Sequence, residues 1–315
     1  MPHTITRIDV TMQATRPVMW PHFAGSTLRG AFGRALRKAA CVTGHSQCHG
    51  CGFRAQCTYG YIFDPAPANQ PLHPSFQDGL PRYVIQPPAL GAHQLNAGQQ
   101  QRFAVLLMPQ TQSHQALVMH TLRATVEQEL LLSSTFTLLH TQASQVAAAE
   151  NANRTADVNH RHTPQHPQTT SQTTVTLRWH TPLRLQVQGK PLFKPQQLNA
   201  ETLVMALLRR NLQWLQMMGH RESEALQATN LNALNAAKAC TLNTSNMQWH
   251  DIQRHSSTQN TKVPLGGLIG SAQLYGPTQA LQELGPLLQL GEQIHIGKET
   301  VMGLGRYQLS NIKPA

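Results

Sequence analysis

From Thr4 to Met12 the chain alternates, with Ile5, Ile8, Val10 and Met12 set among polar neighbours such as Arg7, and this predicts a strand. Pro17, Pro21 and Gly25 then mark a loop. The period changes over Thr27 to Ala40, where Leu28, Phe32, Ala35, Leu36 and Ala39 fall on one helical face at about 100° per residue. Ser26 or Thr27 is the candidate cap of that helix. Arg34, Arg37 and Lys38 fall on the opposite face and Arg29 at its edge, with no acidic residue inside the helix to neutralise them. A short apolar run, Tyr59 to Phe63, precedes a Pro- and Asn-rich loop that reaches about Pro81. Arg82 to Gln86 and Arg102 to Met108 read as strands. His114 to Leu132 reads as a helix with Leu117, Val118, Leu122, Val126 and Leu130 on one side.

Large apolar residues thin out from about Gln142 to Thr174, where Gln, Asn, Thr, His and Pro dominate, so this stretch reads as a flexible linker or long loop. Its basic and His-rich piece, His160 to His166, reads as polar tract, with RNA or metal contact as the alternative. The pattern of the first half then returns. Thr174 to Val187 is strand-like, broken at Thr181-Pro182. Glu201 to Met218 is helical, with Leu203, Val204, Leu207, Leu208, Trp214 and Leu215 facing a core and Arg209 and Arg210 off that face. A Gly-rich approach leads into a strand over Gly266 to Tyr275. Thr278 to Leu290 is a helix interrupted at Gly285-Pro286, and Tyr307 to Ile312 closes as a strand. Each half therefore approximates strand, helix, strands, helix, strand. The expected fold is α+β: tandem ferredoxin-like (RRM-like) domains at residues 1–140 and 175–315, joined by 141–174.

Length agrees, since 315 residues suit two domains. Charge narrows the partner. The chain holds 25 Lys+Arg against 14 Asp+Glu, a net charge of +11, with 17 His besides. Only 12% of residues are charged, against roughly 25% in an average domain, so the imbalance is a shortage of acids. Such a surface suits a polyanion, usually nucleic acid. No apolar run approaches the ~18 residues of a spanning helix. The amino-terminal residues lack the basic-then-apolar form of a signal peptide, so a cytoplasmic protein with no membrane partner is expected.

Four of the five cysteines crowd into residues 41–57 as Cys41-x6-Cys48-x2-Cys51-x5-Cys57. The central pair has zinc-knuckle spacing, and Gly44, Gly50 and Gly52 allow tight turns around an ion. Structural zinc on four thiolates is the expected cofactor, with His45 or His49 as a substitute ligand and a disulfide or free thiols as the other readings. A closed four-sulfur shell leaves no position for water, so the metal would hold a loop poor in apolar residues.

The carboxy-terminal third is rich in glycine around Gly266 and Gly267, and again at Gly297, Gly303 and Gly305, which flank Lys298 and Arg306. Glycine backbone permits close approach to phosphate oxygens and the two cations add attraction; turn glycines are the other reading. The motif is neither a Walker A loop nor G-x-G-x-x-G.

The stretches Pro264 to Gly270, Gly291-Glu292, His295 to Lys298 and Gly303 to Tyr307 resemble the C-terminal signature of the Cas6 family, the CRISPR precursor-RNA processing endoribonucleases of the RAMP superfamily. Thr181 to Leu185, Leu203 to Arg210, Leu28 to Gly33 and the Cys-rich segment ending at Phe63 also resemble that family. The resemblance implies a tandem ferredoxin-like protein that binds CRISPR repeat RNA and cuts it once without a metal, through attack of the 2′-OH on the adjacent phosphate. It also implies a histidine in the N-terminal domain near the first helix. His22, just before that helix, is the favoured candidate and His45, just after it, the second. His255 and His295 remain further candidates. Arg29, Arg34, Arg37, Lys38, Gly266, Gly267, Lys298, Gly303, Gly305 and Arg306 are the expected RNA contacts. The runner-up is a non-catalytic repeat-handle-binding subunit of a CRISPR effector complex, with other Cas proteins as partners. A DNA-binding regulator fits poorly, because the cysteine spacing is not that of C₂H₂ fingers and no helix-turn-helix is evident.

Overall fold

The computed structural model describes residues 4–76, 78–131, 135–148, 171–256 and 261–314. The first half begins with β1 (Thr4–Ala14) and a short β2 (Val18–Trp20), followed by α1 (Gly25–Ala40) and α2 (Thr58–Ile62). Then come β3 (Tyr83–Gln86), β4 (His93–Leu95), β5 (Gln100–Leu107), α3 (Gln112–Ala124) and β6 (Phe136–Ala147). The sheet order β3-β5-β1-β6, antiparallel throughout, is that of a ferredoxin-like unit. Alternation in β1 sends Ile8, Val10 and Met12 to the face covered by α1 and α3, where they meet Leu28, Phe32, Leu36, Val118 and Leu122.

The second half repeats the plan. It contains β7 (Gln172–Leu183), the hairpin β8 (Gln186–Val187) and β9 (Lys190–Pro191), α4 (Ala200–Met217), α5 (Glu224–Lys238) and β10 (Thr241–His250). A second hairpin, β11 (Gln253–Ser256) and β12 (Thr261–Pro264), leads to β13 (Gly267–Pro277), α6 (Thr278–Ile294) and β14 (Tyr307–Pro314). Its sheet order is β10-β13-β7-β14, the same as the first when read by position.

A third apolar cluster joins the halves. Ile5, Val84 and Leu106 project from the far face of the first sheet and pack against Trp214 and Leu215 of α4 and Leu290 and Ile294 of α6. This explains why all four residues of β3 are buried: both of its faces are covered.

Several sequence expectations shift. β6 continues through Ala147 and β7 starts at Gln172, so the strands enter both ends of the expected 141–174 linker; its His-rich piece lies outside the described residues. Regular antiparallel pairing with β1 draws residues 142–147 into the sheet despite their polar composition. α6 is not interrupted at Pro286, because Leu284, Leu287 and Leu288 are buried around it and their packing outweighs the roughly 3 kcal/mol cost of an internal proline. α1 starts at Gly25 with Ala24 at the cap position and no side-chain cap, and Ala39 is exposed rather than packed. α5 and β10 appear where the sequence pattern suggested no element. Arg210 is buried, not off the core face: its guanidinium donates from Nε and Nη2 to the Ile294 carbonyl at 3.2 and 2.9 Å and closes the end of α6. Desolvation brings that guanidinium down to about 10.

Candidate active site

The two halves meet again at the amino end of α1, through a small apolar cluster of Phe23, Ile252, Leu265, Met302 and Leu304. Each member carries a chemically relevant neighbour to the joint. Phe23 fixes the loop holding His22, and Ile252 fixes the chain just beyond His250. Met302 and Leu304 alternate with Gly303 and Gly305. The consequence is a contact between residues 228 positions apart: His22 Nε2 lies 2.8 Å from His250 Nε2, with the rings stacked at 5.1 Å and 29°. One imidazole must donate and the other accept for this bond to form. His22 is exposed and its carbonyl accepts the Gly91 N–H at 3.0 Å, which holds the loop. A basic rim borders the pair. Arg184 donates to the Gly266 carbonyl at 2.9 Å and its own carbonyl accepts the Lys298 N–H at 2.9 Å, while His250 is the register partner of Gly267. Lys298 is exposed.

The glycines serve the joint itself. A Cβ at Gly25 would run into the Met302 carbonyl oxygen, one at Gly303 into Pro87 and the Ile85 carbonyl, and one at Gly305 into the Ile296 carbonyl. Gly303 and Gly305 adopt φ of +92° and +71°, which other residues take only under strain. Their amides donate to the Thr300 and Pro182 carbonyls at 2.8 and 2.9 Å, and both residues are buried. Gly266 and Gly267 are also buried, packed against Trp249 and the Leu183 carbonyl. Gly303 and Gly305 thus commit their amides to close packing where the two domains touch.

The expected cations separate by position. Arg34 is held by Glu129, 2.8 Å from Nε to Oε2, an acid that the helix itself lacked and that α3's extension supplies. Arg29 sits over the Phe63 ring at 4.8 Å, and Arg37 over Tyr59 at 5.5 Å while donating to the His45 carbonyl. Lys38 is exposed at the carboxy end of α1. Arg306 is half-buried, its pKa lowered by burial and by Arg7. These groups form a basic, aromatic-backed flank, since Tyr59 and Phe63 stack at 5.1 Å and Phe63 and Tyr83 at 5.1 Å.

Two of the other candidate histidines, His45 and His295, lie elsewhere. His45 is exposed beyond the opposite end of α1, a helix of 16 residues and so about 24 Å long, and it cannot share a phosphate with His22. His295 is not in a strand. It caps α6 at φ +61°, fully buried, with Nε2 3.2 Å from Gln86 Nε2. Burial and the neighbouring Arg306 and Arg210 hold its pKa well below the ordinary value, so it stays neutral inside the joint. His255 lies in β11. His250 and Arg184 went unnoticed in the sequence; the Trp249-His250-Asp251 triplet carries no spacing signal, and only the long-range register of β10 with β13 brings it to the rim.

Cys41, Cys48, Cys51 and Cys57 are unpaired as disulfides and half-buried, and all four line one pocket. Among the described residues no three His, Cys, Asp or Glu side chains converge as the ligands of a single ion.

A family model described as CRISPR-associated endoribonuclease Cas6 matches residues 177–307, the half that supplies His250, Arg184 and the glycine joint. Residues 177–307 are therefore similar to the Cas6 family. A second model, described as an N-terminal domain, matches residues 2–167. Among solved structures, a Cas6 product complex is 16% identical with a TM-score of 0.56, and the match covers 98% of this chain and 100% of that one. Another Cas6 product complex is 14% identical with a TM-score of 0.52 and coverage of 98% and 100%. A partial Cas6-RT-Cas1–Cas2 complex is 13% identical with a TM-score of 0.56 and coverage of 99% and 47%. The chain thus spans about half, 47%, of the length of that complex's chain, and 29% of that of a second Cas6-RT-Cas1–Cas2 complex. At these identities the likeness is one of fold. No curated protein matches the chain. Among the described residues no helix is long and apolar enough to cross a membrane.

Proposed function

We propose that this chain is a Cas6-type endoribonuclease that binds CRISPR repeat RNA and cleaves it without a metal ion, with His22 and His250 as the proton-transfer pair. The observation that carries the reading is the bond between two imidazoles from different domains, at the edge of a basic rim. Cleavage by the 2′-OH needs a base to take its proton and an acid to protonate the departing 5′ oxygen, and imidazole side chains can fill both roles. The 2′ oxygen bonds to phosphorus as the P–O5′ bond breaks, leaving a 2′,3′-cyclic phosphate and a 5′-OH. Charge developing on the phosphoryl oxygens would be met by Lys298 and Arg184. The basic flank of Arg29, Arg37 and Lys38 would guide the RNA backbone, with the stacked aromatics keeping two of these cations in place. The similar solved structures include a Cas6 product complex and a Cas6-RT-Cas1–Cas2 complex, and these support RNA and other Cas proteins as partners of this chain.

Incubating the purified chain with end-labelled repeat RNA in EDTA tests the reading. One cut that leaves a cyclic phosphate on the upstream fragment is expected. Intact RNA that nevertheless shifts with the protein would assign it instead to holding a repeat handle.

A further inference from the structure

Two aromatic rings beside the histidine pair take no part in the proton transfers. Phe193, just after the β8–β9 hairpin, is 53% exposed, and its ring lies 4.7 Å from that of Trp249 at 55°. A lone exposed ring is ordinary, but two in contact at a basic rim mark a binding surface. On the reading that this chain binds repeat RNA, we propose that Phe193 and Trp249 form a stacking subsite for an unpaired nucleobase next to the candidate cleavage site.

The indole is held from several sides. Its Nε1 donates to the Asp251 carboxylate at 2.7 Å, which fixes the ring's tilt. Its flat edge rests on Gly266, where a Cβ would stand 2.7 Å from Cζ2, so glycine is needed there to seat it. The Gly266 carbonyl in turn accepts from Arg184 at 2.9 Å, which ties the aromatic pair to the cation proposed for the phosphate. Trp249 directly precedes His250 in β10, and successive strand residues point to opposite faces. β10 is the edge strand of its sheet, so a ribonucleotide chain can cross that edge with its phosphate on the His250 side and its base on the Trp249 side. Charge suits the same occupant. From Arg178 to Ala200 the chain has Arg178, Arg184, Lys190 and Lys194 and no acid, and Lys190 and Lys194 are exposed on either side of Phe193 in sequence. Cations that follow a phosphate backbone, interleaved with rings that take bases, are the elements of single-strand recognition.

Fluorescence reads the subsite directly, because Trp20, Trp179 and Trp214 are only 1%, 3% and 1% exposed while Trp249 is half-buried. The full chain is titrated with end-labelled repeat RNA in EDTA, and binding, cleavage, indole emission and acrylamide quenching are followed together. RNA is expected to lower the emission and to shield Trp249 from acrylamide. Trp249→Phe should abolish the emission change and keep the affinity, since phenylalanine still stacks. Phe193→Ala should weaken binding about tenfold and leave its salt slope as it was, because stacking releases no counterions. An abasic nucleotide moved along the RNA should weaken binding to the unaltered chain at one position, and Phe193→Ala should show no such loss there. Should variants at Trp249 fail to fold, the exposed Phe193 still decides. RNA that binds and is cut with indole emission and acrylamide access unchanged overturns the subsite and leaves the cleavage reading standing. Quenching by RNA that stays intact does the reverse. Phe193→Ala binding as tightly as the unaltered chain also overturns the subsite, the pair then only covering the edge of β10. A chain that binds no RNA overturns both.

Discussion

The two ends of α1 solve opposite problems. At its amino end, Gly25 presses against the Met302 carbonyl and the helix start is buried between domains, so His22 is positioned by residues more than two hundred positions away. At its carboxy end, four thiols within 17 residues gather around one pocket and no residue of the loop is buried. The first site is built by packing and the second by the local spacing of cysteines. Damage at the first should therefore spread across the domain joint, while damage at the second should stay local.

The largest effect is expected at the histidine pair. His22→Ala and His250→Ala should each lower single-turnover cleavage roughly 10²-fold or more with RNA affinity little changed, and the double variant should be hardly worse than either single one. Cleavage that survives loss of His250 would break the link between the joint and the chemistry.

Glycine replacements sharpen the contrast in stability. Gly305→Ala places a Cβ against the Ile296 carbonyl at positive φ and should cost about 3 kcal/mol or more in denaturant unfolding. Gly50→Ala, also at positive φ but with open space around it, should cost only about 1 kcal/mol. Equal losses would mean that the amino-terminal joint is no tighter than the loop.

The buried His295 makes the joint sensitive to acid. Its folded pKa is depressed, so the unfolded chain binds more protons once pH falls below the ordinary histidine value of about 6.5. Its contribution is intact above that pH and declines as pH falls toward the depressed value, by at most about 1.4 kcal/mol per pH unit. Melting curves between pH 7.5 and 5 should show a steeper decline for the unaltered chain than for His295→Gln. Parallel curves would remove His295 as the sensor.

The smallest effects belong to the flank. Arg34→Ala removes a half-exposed ion pair with Glu129 and should cost about 0–1 kcal/mol of stability while leaving the salt dependence of RNA binding unchanged. Lys298→Ala should lower that salt slope by about 0.7–0.9. A reversed ranking would move the RNA path from the rim to the helix face.

The sequence by itself determined the strand and helix periods, the doubled ferredoxin-like order and the cysteine cluster, because each depends on neighbours within a few turns. Ile8, Val10 and Met12 have one buried face whatever the rest of the chain does, and Cys48-x2-Cys51 turns back on itself locally. It also singled out His22, from its place before α1. Only the tertiary structure decided that His250 is its partner, that Glu129 occupies Arg34, and that Gly303 and Gly305 spend their amides inside the joint. Those facts depend on register between distant strands and on which sheet faces meet. Packing of Phe23, Ile252, Leu265, Met302 and Leu304 sets the joint, and no short-range pattern encodes which remote surface will fill that space.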